Sequence, residues 1–412
     1  MLFKNKLVVV NMIEYLIWFL LITCLLGWIG YFFITMGNYR KMPHVSKKTE
    51  QPIDKSPHLV SVIVPTRNEA YRVEKCIKSL KAQTYPYLEI IIVDDSSDNT
   101  VDIINGIIGN DQRFKIIKQE KLPNGWIGKP YALQQGSRQA KGDLLIFIDA
   151  DTSHDPELVT KTVGYAIKNN IDLLSLVPRH LCQSFWEKVI QPIPLGLIPA
   201  ISPLAKVNNK DSKVAIAFGP FILIKHSVFN KVGGYETIKG QIADDAEIAK
   251  LVKNTGFKLG LINAQDLMNI RMYERFSEIW EGWSKNIFLG LVQKRDIHSK
   301  AKRLIVALAG AIGIFALMVF PFIITLITLI LSLFVSFSQW QPYLIFSIFL
   351  WIVSISIQFC IQKYYRIGDP KYAILNFLGG IITIGIFLNS ALKSFSGKGV
   401  TWKGKIYSTK GS

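Results

Sequence analysis

Asp149 and Asp151 stand on either side of Ala150, directly after the apolar run Leu144–Ile148. Two carboxylates separated by one small residue at the end of a buried strand can face a single hard cation, Mg²⁺ or Mn²⁺, that also binds phosphate oxygens. Such a cation stabilises the negative charge that gathers on a phosphate group as a bond to it breaks. The same short pattern occurs in solvated turns, so its meaning depends on its company. Asp94 and Asp95 close a second apolar run, Glu89–Val93, where a carboxylate can accept hydrogen bonds from a base or a ribose. Pro65, Arg67 and Glu69 close a third run, Val60–Val64, and can line the same pocket. Lys129 opens a helical pattern just after Gly125 and Gly128, where its charge and the helix N-terminus both favour phosphate or sugar hydroxyls. Asp244 and Asp245 precede the helical pattern that runs to Asn254. A carboxylate in a partly desolvated pocket can take the proton of an attacking hydroxyl, and Asp245 is assigned that role. Asp244 is expected to cap the helix, with Glu247 three residues on.

These residues need a scaffold that gathers strand ends. From Leu59 to about Lys302, short β-branched runs alternate with amphipathic segments, the pattern of βαβ units around a mostly parallel sheet. Strands are expected at 60–64, 89–93, 114–118, 143–148 and 172–177, with helices at 71–82, 100–108, 130–138 and about 155–168. Asp98 is expected to cap the helix from Thr100. In open sheets of this kind ligands sit outside the carboxyl ends of the strands, which is where the acidic residues fall. Neither G-x-G-x-x-G after the first strand nor G-x-x-x-x-G-K-[ST] is present, which argues against dinucleotide and P-loop readings. Asp244 is also a candidate contact for an acceptor or diphosphate, and Arg271, Trp283 and Lys285 either make such a contact or anchor an interfacial helix. The proline-broken apolar stretch 191–204 suits an interfacial wedge or ordinary core.

Half of the 412 residues are hydrophobic, and the excess is concentrated. Residues 13–35 form an almost uninterrupted apolar stretch, long enough at about 1.5 Å per residue to cross a hydrocarbon core of about 30 Å. It reads as an anchor and not as a cleaved signal, since no small-residue cleavage site follows. Further spans are expected at about 304–335, 343–361 and 373–392. The first of these contains Pro321 and reads as one kinked span or as a re-entrant pair. A single crossing there exports the basic tail (Lys393, Lys398, Lys403, Lys405, Lys410), and a re-entrant pair retains it. The expected layout is an N-terminal anchor (1–43), a linker (44–58), an α/β domain (59–302) and a C-terminal membrane block (303–412). The net charge of +18 is concentrated at membrane borders, including Arg40, Lys41, Lys47, Lys48, Lys294, Arg295, Lys300, Lys302 and Arg303. That placement points to anionic lipid and a cytoplasmic domain in a multi-pass cell-membrane protein, and not to nucleic acid. The four cysteines form no C-x-x-C pair, so neither a disulfide framework nor a zinc site is expected.

VSVIVPTRNE (60–69), VDDSSD (93–98), GKPYAL (128–133), FIDAD (147–151), GGY (233–235) and Asp244-Asp245, in this order and spacing, resemble glycosyltransferase family 2 over most of residues 59–290. The resemblance implies a GT-A fold (α/β, Rossmann-like, mostly parallel sheet), a divalent metal and an inverting single displacement. FGP (218–220), RMYE (271–274), EGWSK (281–285) and VTWKGKIY (400–407) are closer still to a bacterial membrane branch that includes hopene-associated and 4,4'-diaponeurosporenoate (carotenoid) glycosyltransferases. That likeness implies transfer of a single hexose from a nucleotide sugar, such as a UDP-sugar, to a lipid or isoprenoid acceptor. By the family pattern Asp95 contacts the nucleoside, Asp151 the metal and Asp245 the acceptor, with Asp149 left to the donor. Two features depart from the pattern. Asp244 replaces the glutamate that relatives carry, and the Q-x-x-R-W of processive synthases is absent, with GWSKN (282–286) in its place. The alternatives are a processive polysaccharide or oligosaccharide synthase and, from another class, an inactive GT-A-like membrane scaffold.

Overall fold

The computed structural model describes residues 2–49, 58–241, 243–294, 299–335, 337–396, 400–402 and 405–407. The chain begins in α1 (Leu2–Lys41) and continues through β1 (Val60–Thr66), α2 (Val73–Lys81), β2 (Leu88–Asp94), α3 (Thr100–Ile108), β3 (Phe114–Lys118), α4 (Gly128–Gln139) and β4 (Leu144–Ile148). Then come β5 (Thr152–His154), α5 (Leu158–Lys168), β6 (Leu173–Val177), β7 (Arg179–His180), α6 (Phe185–Ile190), α7 (Pro192–Ile201), β8 (Phe221–Lys225), α8 (His226–Lys231), α9 (Asp244–Asn254), β9 (Leu259–Asn263) and β10 (Met268–Ile270). The remainder is helical: α10 (Phe276–Lys294), α11 (Lys300–Ile314), a π-turn (Phe315–Val319), α12 (Phe320–Phe334), α13 (Phe337–Tyr365), a 3-10 turn (Pro370–Leu375) and α14 (Asn376–Ser396). A short ribbon, β11 (Val400–Trp402) and β12 (Lys405–Tyr407), follows.

The chain forms two compact units: Arg40–Leu181 with Pro203–Met272, and Met1–Tyr39 with Cys182–Ser202 and Tyr273–Ser412. This grouping departs from the expected 59–302 domain at 182–202 and after Met272. The apolar, proline-broken stretch folds as α6 and α7, where Gly196 lets the Tyr31 hydroxyl of α1 come close, so it belongs with the hydrophobic helices. Residues 50–57 of the expected linker lie outside the described residues. His44 bridges to Asn263 and Val45 is buried in the core of the sheet unit.

The sheet unit is built on seven strands in the order β3-β2-β1-β4-β8-β6-β9, with β8 antiparallel to both its neighbours and every other pairing parallel. The continuous apolar runs of the central strands are what a sheet covered on both faces requires. Their side chains alternate between two cores. Val62, Val64, Ile90, Ile92 and Ile146 meet α2, α3 and α5 on one face; Ile63, Ile91, Val93, Leu145 and Phe147 meet α4, α8 and α9 on the other. Most expected elements are present within two residues of their expected bounds, and α3 and β3 match fully. Two strands of this sheet lie outside the expected set. β8 is a five-residue run inserted antiparallel between β4 and β6, and β9 is the far edge strand. Short apolar runs of this length do not distinguish strand from buried helix by periodicity. A second, three-stranded sheet, β5-β10-β7, flanks the Asp149–Asp151 turn.

In the helical unit four stretches are long and apolar enough to cross a membrane: Glu14–Lys41, Ala301–Phe334, Ser338–Tyr365 and Pro370–Phe395. They overlap the four expected spans. Residues 304–334 form one continuous helical run, with no reversal of the chain at Pro321. The π-turn sits immediately before Pro321, where the missing N–H and the bulk of the ring disturb the helix. Phe320 N–H donates to the Phe315 carbonyl, and the Cys24 thiol of α1 donates to the next carbonyl, that of Ala316, at 3.0 Å. The polar atom freed by proline thus finds a partner inside protein, as the hydrocarbon interior demands. Lys398, Lys403 and Lys410 of the basic tail lie outside the described residues.

Candidate active site

Because β1, β2 and β4 are parallel, their carboxyl ends open onto one edge of the sheet, with Thr66 opposite Asp94. Pro65 sits where β1 still pairs with β2 but has run past its pairing with β4, a position that tolerates the missing N–H. The loops after β1 and β2 are laced together. Asp95 N–H donates to Thr66 O at 2.9 Å, Asn68 N–H to Ser96 Oγ at 2.9 Å, and Ser97 N–H to Asn68 Oδ1 at 2.8 Å. Asn68 holds a positive φ of 52°, a conformation asparagine adopts more readily than most residues. Arg67 pairs with Asp95 at 2.7 Å.

Asp94 and Asp95, grouped by sequence, differ in structure. Asp94 is buried and accepts from Thr66 Oγ1 (2.7 Å), Ser96 Oγ (2.6 Å) and Ser96 N–H (3.0 Å), so its oxygens are occupied within the turn. The Asp95 side chain is 37% exposed and can meet a ligand. Asp98 accepts from Thr100 N–H at 3.1 Å in the first turn of α3, the expected cap in all but the exact position, which belongs to Asn99.

The turn after β4 is held from behind. Thr152 Oγ1 donates to the Asp149 carbonyl at 2.7 Å, the buried Cys76 thiol approaches it at 3.8 Å, and Arg271 N–H donates to the Asp151 carbonyl at 3.1 Å. Arg271 thus reaches this site through its backbone. Asp149 Oδ1 meets Lys129 Nζ at 2.6 Å. Asp151 Oδ1 is buried without a hydrogen-bond partner. Burial first, then the Asp149 and Glu69 carboxylates, push the Asp151 pKa up to about 8, against the pull of Arg72 and Lys129.

β8 completes the edge. Running antiparallel, it presents its amino end where β4 presents its carboxyl end, so Gly219-Pro220 lies beside the acidic turn and Asp149 N–H donates to Pro220 O at 3.3 Å. Gly219 N–H donates to Asp245 Oδ2 at 2.9 Å, and Ala246 N–H donates to Asp245 Oδ1 at 2.8 Å. A Cβ at residue 219 would lie 3.3 Å from Lys129 Nζ and 3.4 Å from Asp245 Oδ2, so glycine there leaves these two groups room to converge. Burial, then Asp244, push the Asp245 pKa up to about 6, opposed by Lys129 and the two backbone donors. For Lys129 burial favours loss of the proton, but Asp149, Asp244 and Asp245 outweigh it and hold the ammonium charged.

Asp244 does not cap α9. The cap position falls on Ala243, no side-chain cap forms, and Asp244 is the first helical residue, buried and within the field of Lys129. The reciprocal capping box is formed instead by Ser184 and Glu187 at the start of α6, a Ser-x-x-Glu spacing present in the sequence. Tyr235, overlooked as a site residue, is fully buried against Phe147 and Phe229, and its hydroxyl has no hydrogen-bond partner. Burial and the Asp244, Asp245 and Asp149 carboxylates keep that hydroxyl protonated well beyond the usual tyrosine range. Its signal was the GGY triplet, where Gly234 at φ 57° leaves room for Gln134, whose side chain accepts from Tyr235 N–H at 2.9 Å. Trp283 and Lys285 belong to α10 of the helical unit, where Trp283 is buried with its ring edge-on to Tyr273 at 6.0 Å. The structure therefore gathers Asp149, Asp151, Glu69, Lys129, Asp244 and Asp245 around the sheet edge and places Trp283 and Lys285 in the other unit.

Among the described residues no group of three His, Cys, Asp or Glu side chains is arranged to hold a metal by itself. Asp151 nevertheless suits a hard divalent cation whose remaining ligands are phosphate oxygens and water, because its buried oxygen lacks a partner and its charge is disfavoured by neighbouring carboxylates.

Residues 61–233 match glycosyl transferase family 2. The chain carries a family 2 glycosyltransferase domain. Within that match fall the laced loops, the acidic turn, Lys129, Gly219 and the start of the GGY triplet; Asp244 and Asp245 follow it. The glycosyltransferase chain is 27% identical over 258 residues to a 4,4'-diaponeurosporenoate glycosyltransferase of Staphylococcus haemolyticus, covering 62% of this chain and 67% of that protein. It is 23% identical over 234 residues to the protein of the same name from Staphylococcus aureus, covering 56% of this chain and 61% of that one. A solved mannosyltransferase from Pyrobaculum calidifontis, in complex with GDP-Man and Mn²⁺, matches with 17% identity and a TM-score of 0.49, over 91% of this chain and 97% of that one.

Proposed function

We propose that this glycosyltransferase moves a single hexose, with inversion, from a nucleotide sugar such as a UDP-sugar to a membrane-dissolved isoprenoid or carotenoid acceptor at the cytoplasmic face. The observation that carries the reading is the convergence of Asp245, Lys129 and Asp149 around Gly219, beside the unpartnered oxygen of Asp151. Asp95 and Arg67 line the nucleoside end, and Asp149 with Lys129 the sugar and phosphates. A divalent cation held by Asp151 would supply Lewis-acid stabilisation of the departing diphosphate. Asp245 takes the proton of the acceptor's hydroxyl or carboxyl group as that oxygen bonds to the anomeric carbon and the bond to the diphosphate breaks. Its raised pKa, about 6, leaves it ionised at neutral pH yet basic enough to accept the proton. The two staphylococcal relatives support a carotenoid acid as the acceptor class.

Membranes containing the protein, given radiolabelled nucleotide sugars and a carotenoid acid or alcohol, are expected to form a lipid bearing one sugar, identified by mass spectrometry. Asp245→Asn is expected to lower turnover about 10²- to 10⁴-fold, the usual contribution of a positioned base, while metal-dependent nucleotide binding persists. Unchanged turnover in that variant, or label found only in a long polymer, would overturn the reading.

A further inference from the structure

Three contacts fix how α14 runs against the continuous helical stretch α11–α12. A Cβ on Gly310 would lie 2.5 Å from the Phe387 ring, one on Gly380 would lie 2.6 Å from Met318 Cβ, and Phe322 stacks on Phe377 with ring centroids 3.9 Å apart. As the first partner advances along the sequence from 310 to 318 to 322, the second recedes from 387 to 380 to 377, so α14 is antiparallel to α11–α12. The same stretch is antiparallel to α13, since Phe322 meets Trp351 and Thr328 Oγ1 lies 2.9 Å from Ser347 Oγ. Two helices antiparallel to one helix run parallel to each other. A transmembrane segment joined to its predecessor by a short loop should instead reverse direction.

The starting height of α14 explains the difference. Phe322 touches both Trp351 and Phe377, and Asn376 Nδ2 lies 3.5 Å from Ser354 Oγ, so α14 starts level with the middle of α13. From Ser354 to the end of α13 at Tyr365 is about 16 Å at 1.5 Å per residue. Residues 366–375 return over that distance through a bend at Gly368 (φ 60°) and the 3-10 turn capped by Asp369. Part of the returning segment is covered by protein, with Ile367 and Ala373 buried and Gly368 against Cys182, while Arg366, Lys371 and Ile374 are exposed; cover of this kind is what irregular backbone needs at membrane depth.

We infer that the last apolar segment is re-entrant: the chain crosses the membrane three times, in α1, α11–α12 and α13, and α14 starts at mid-depth and leaves by the side on which α13 ends. α1 fixes which side that is. Trp18 packs on Tyr343 and Phe346 at one end, and Tyr365 Oη donates to Thr35 O at 2.9 Å at the other, so α1 and α13 are parallel. α14, with Lys393 in its last turn, therefore ends on the side where α1 ends at Arg40 and Lys41 and where α11 begins with Lys302 and Arg303. This gathers positive charge on one side, as membrane proteins favour. It also reconciles a single crossing by 304–335 with a retained tail, because the reversal lies one segment later than the sequence alone suggests.

The inference does not depend on the reaction assigned above. Cysteines introduced singly as Lys168→Cys, Ser338→Cys and Ser408→Cys in the full chain would be treated with a membrane-impermeant maleimide in sealed vesicles of each orientation. Residues 168 and 408 are expected to be labelled in the same vesicle population and residue 338 in the opposite one. Labelling of 408 together with 338 overturns the inference. A protease site and epitope tag appended after Ser412 gives a second measurement: cleavage in the population that labels residue 168 supports the re-entrant path, and cleavage in the other refutes it.

Discussion

At the level of single residues, the site works by keeping carboxylates where they are not comfortable. Asp245 carries a pKa raised to about 6, so it is protonated below that pH and cannot serve as base. Transfer should therefore fall about tenfold per pH unit below 6 and level off above it; a pH–rate profile of kcat with saturating donor checks this. The same shift has a stability consequence. A carboxyl whose folded pKa lies above its unfolded value near 3.8 contributes most below the unfolded value, and that contribution is lost as pH rises through about 6. Asp245→Asn should thus gain in melting temperature relative to the unaltered protein on going from pH 4 to pH 8, measurable by thermal scanning in detergent; a difference independent of pH would contradict it. Residue types and spacing pointed to Asp149, Asp151, Lys129 and Asp245, and the sequence favoured Asp95 over Asp94 for the nucleoside without showing what occupies Asp94. Adjacent aspartates look alike in a sequence, and only the hydroxyls of Thr66 and Ser96, folded onto Asp94, distinguish them. Tyr235 was hidden for a similar reason: a buried tyrosine in an apolar neighbourhood reads as core until its hydroxyl is seen beneath three carboxylates.

At the level of elements, the site is a meeting of strand ends with the starts of two helices, α4 and α9. α4 lies close on the sheet because Gly136 gives it no side chain: a Cβ there would overlap Ile63 and come within 3.0 Å of Val93 Cγ2. Gly136→Ala should cost about 1–3 kcal/mol through overpacking, read as a lowered denaturant midpoint. Gly219→Val makes a different prediction. Its neighbours at the site are the end of a lysine and a carboxylate, so turnover should fall by at least about tenfold, beyond a shift of about 1.4 kcal/mol in transition-state stabilisation, with little change in melting temperature; an inactive variant that is also unfolded would argue against a role at the site. The parallel βαβ half was legible because β-branched runs and helical periodicities alternate there without interruption. The second half was less so. β8 reverses direction inside the sheet, and nothing in FILIK states which way a strand runs or which neighbours it joins.

At the level of the whole molecule, the sequence shows that the ends of the chain are apolar enough for a membrane, and the structure shows how those segments are ordered. Close packing depends on small residues, as between membrane helices generally. Gly310→Leu should force α11 and α14 apart at Phe387 and lower the melting temperature of the detergent-solubilised protein, while donor binding at the sheet edge is preserved. The path of α14 was not legible because hydropathy reports length and composition, whereas direction depends on which side chains meet. The height at which α14 begins also bears on how the protein is assembled. A tail that never leaves its original side carries no lysine through hydrocarbon and moves no charge against the transmembrane potential, a step worth about 2.3 kcal/mol per elementary charge per 100 mV. Insertion of the final segment should therefore be insensitive to collapse of that potential, and lysines can be added beyond Lys393 without an electrical penalty.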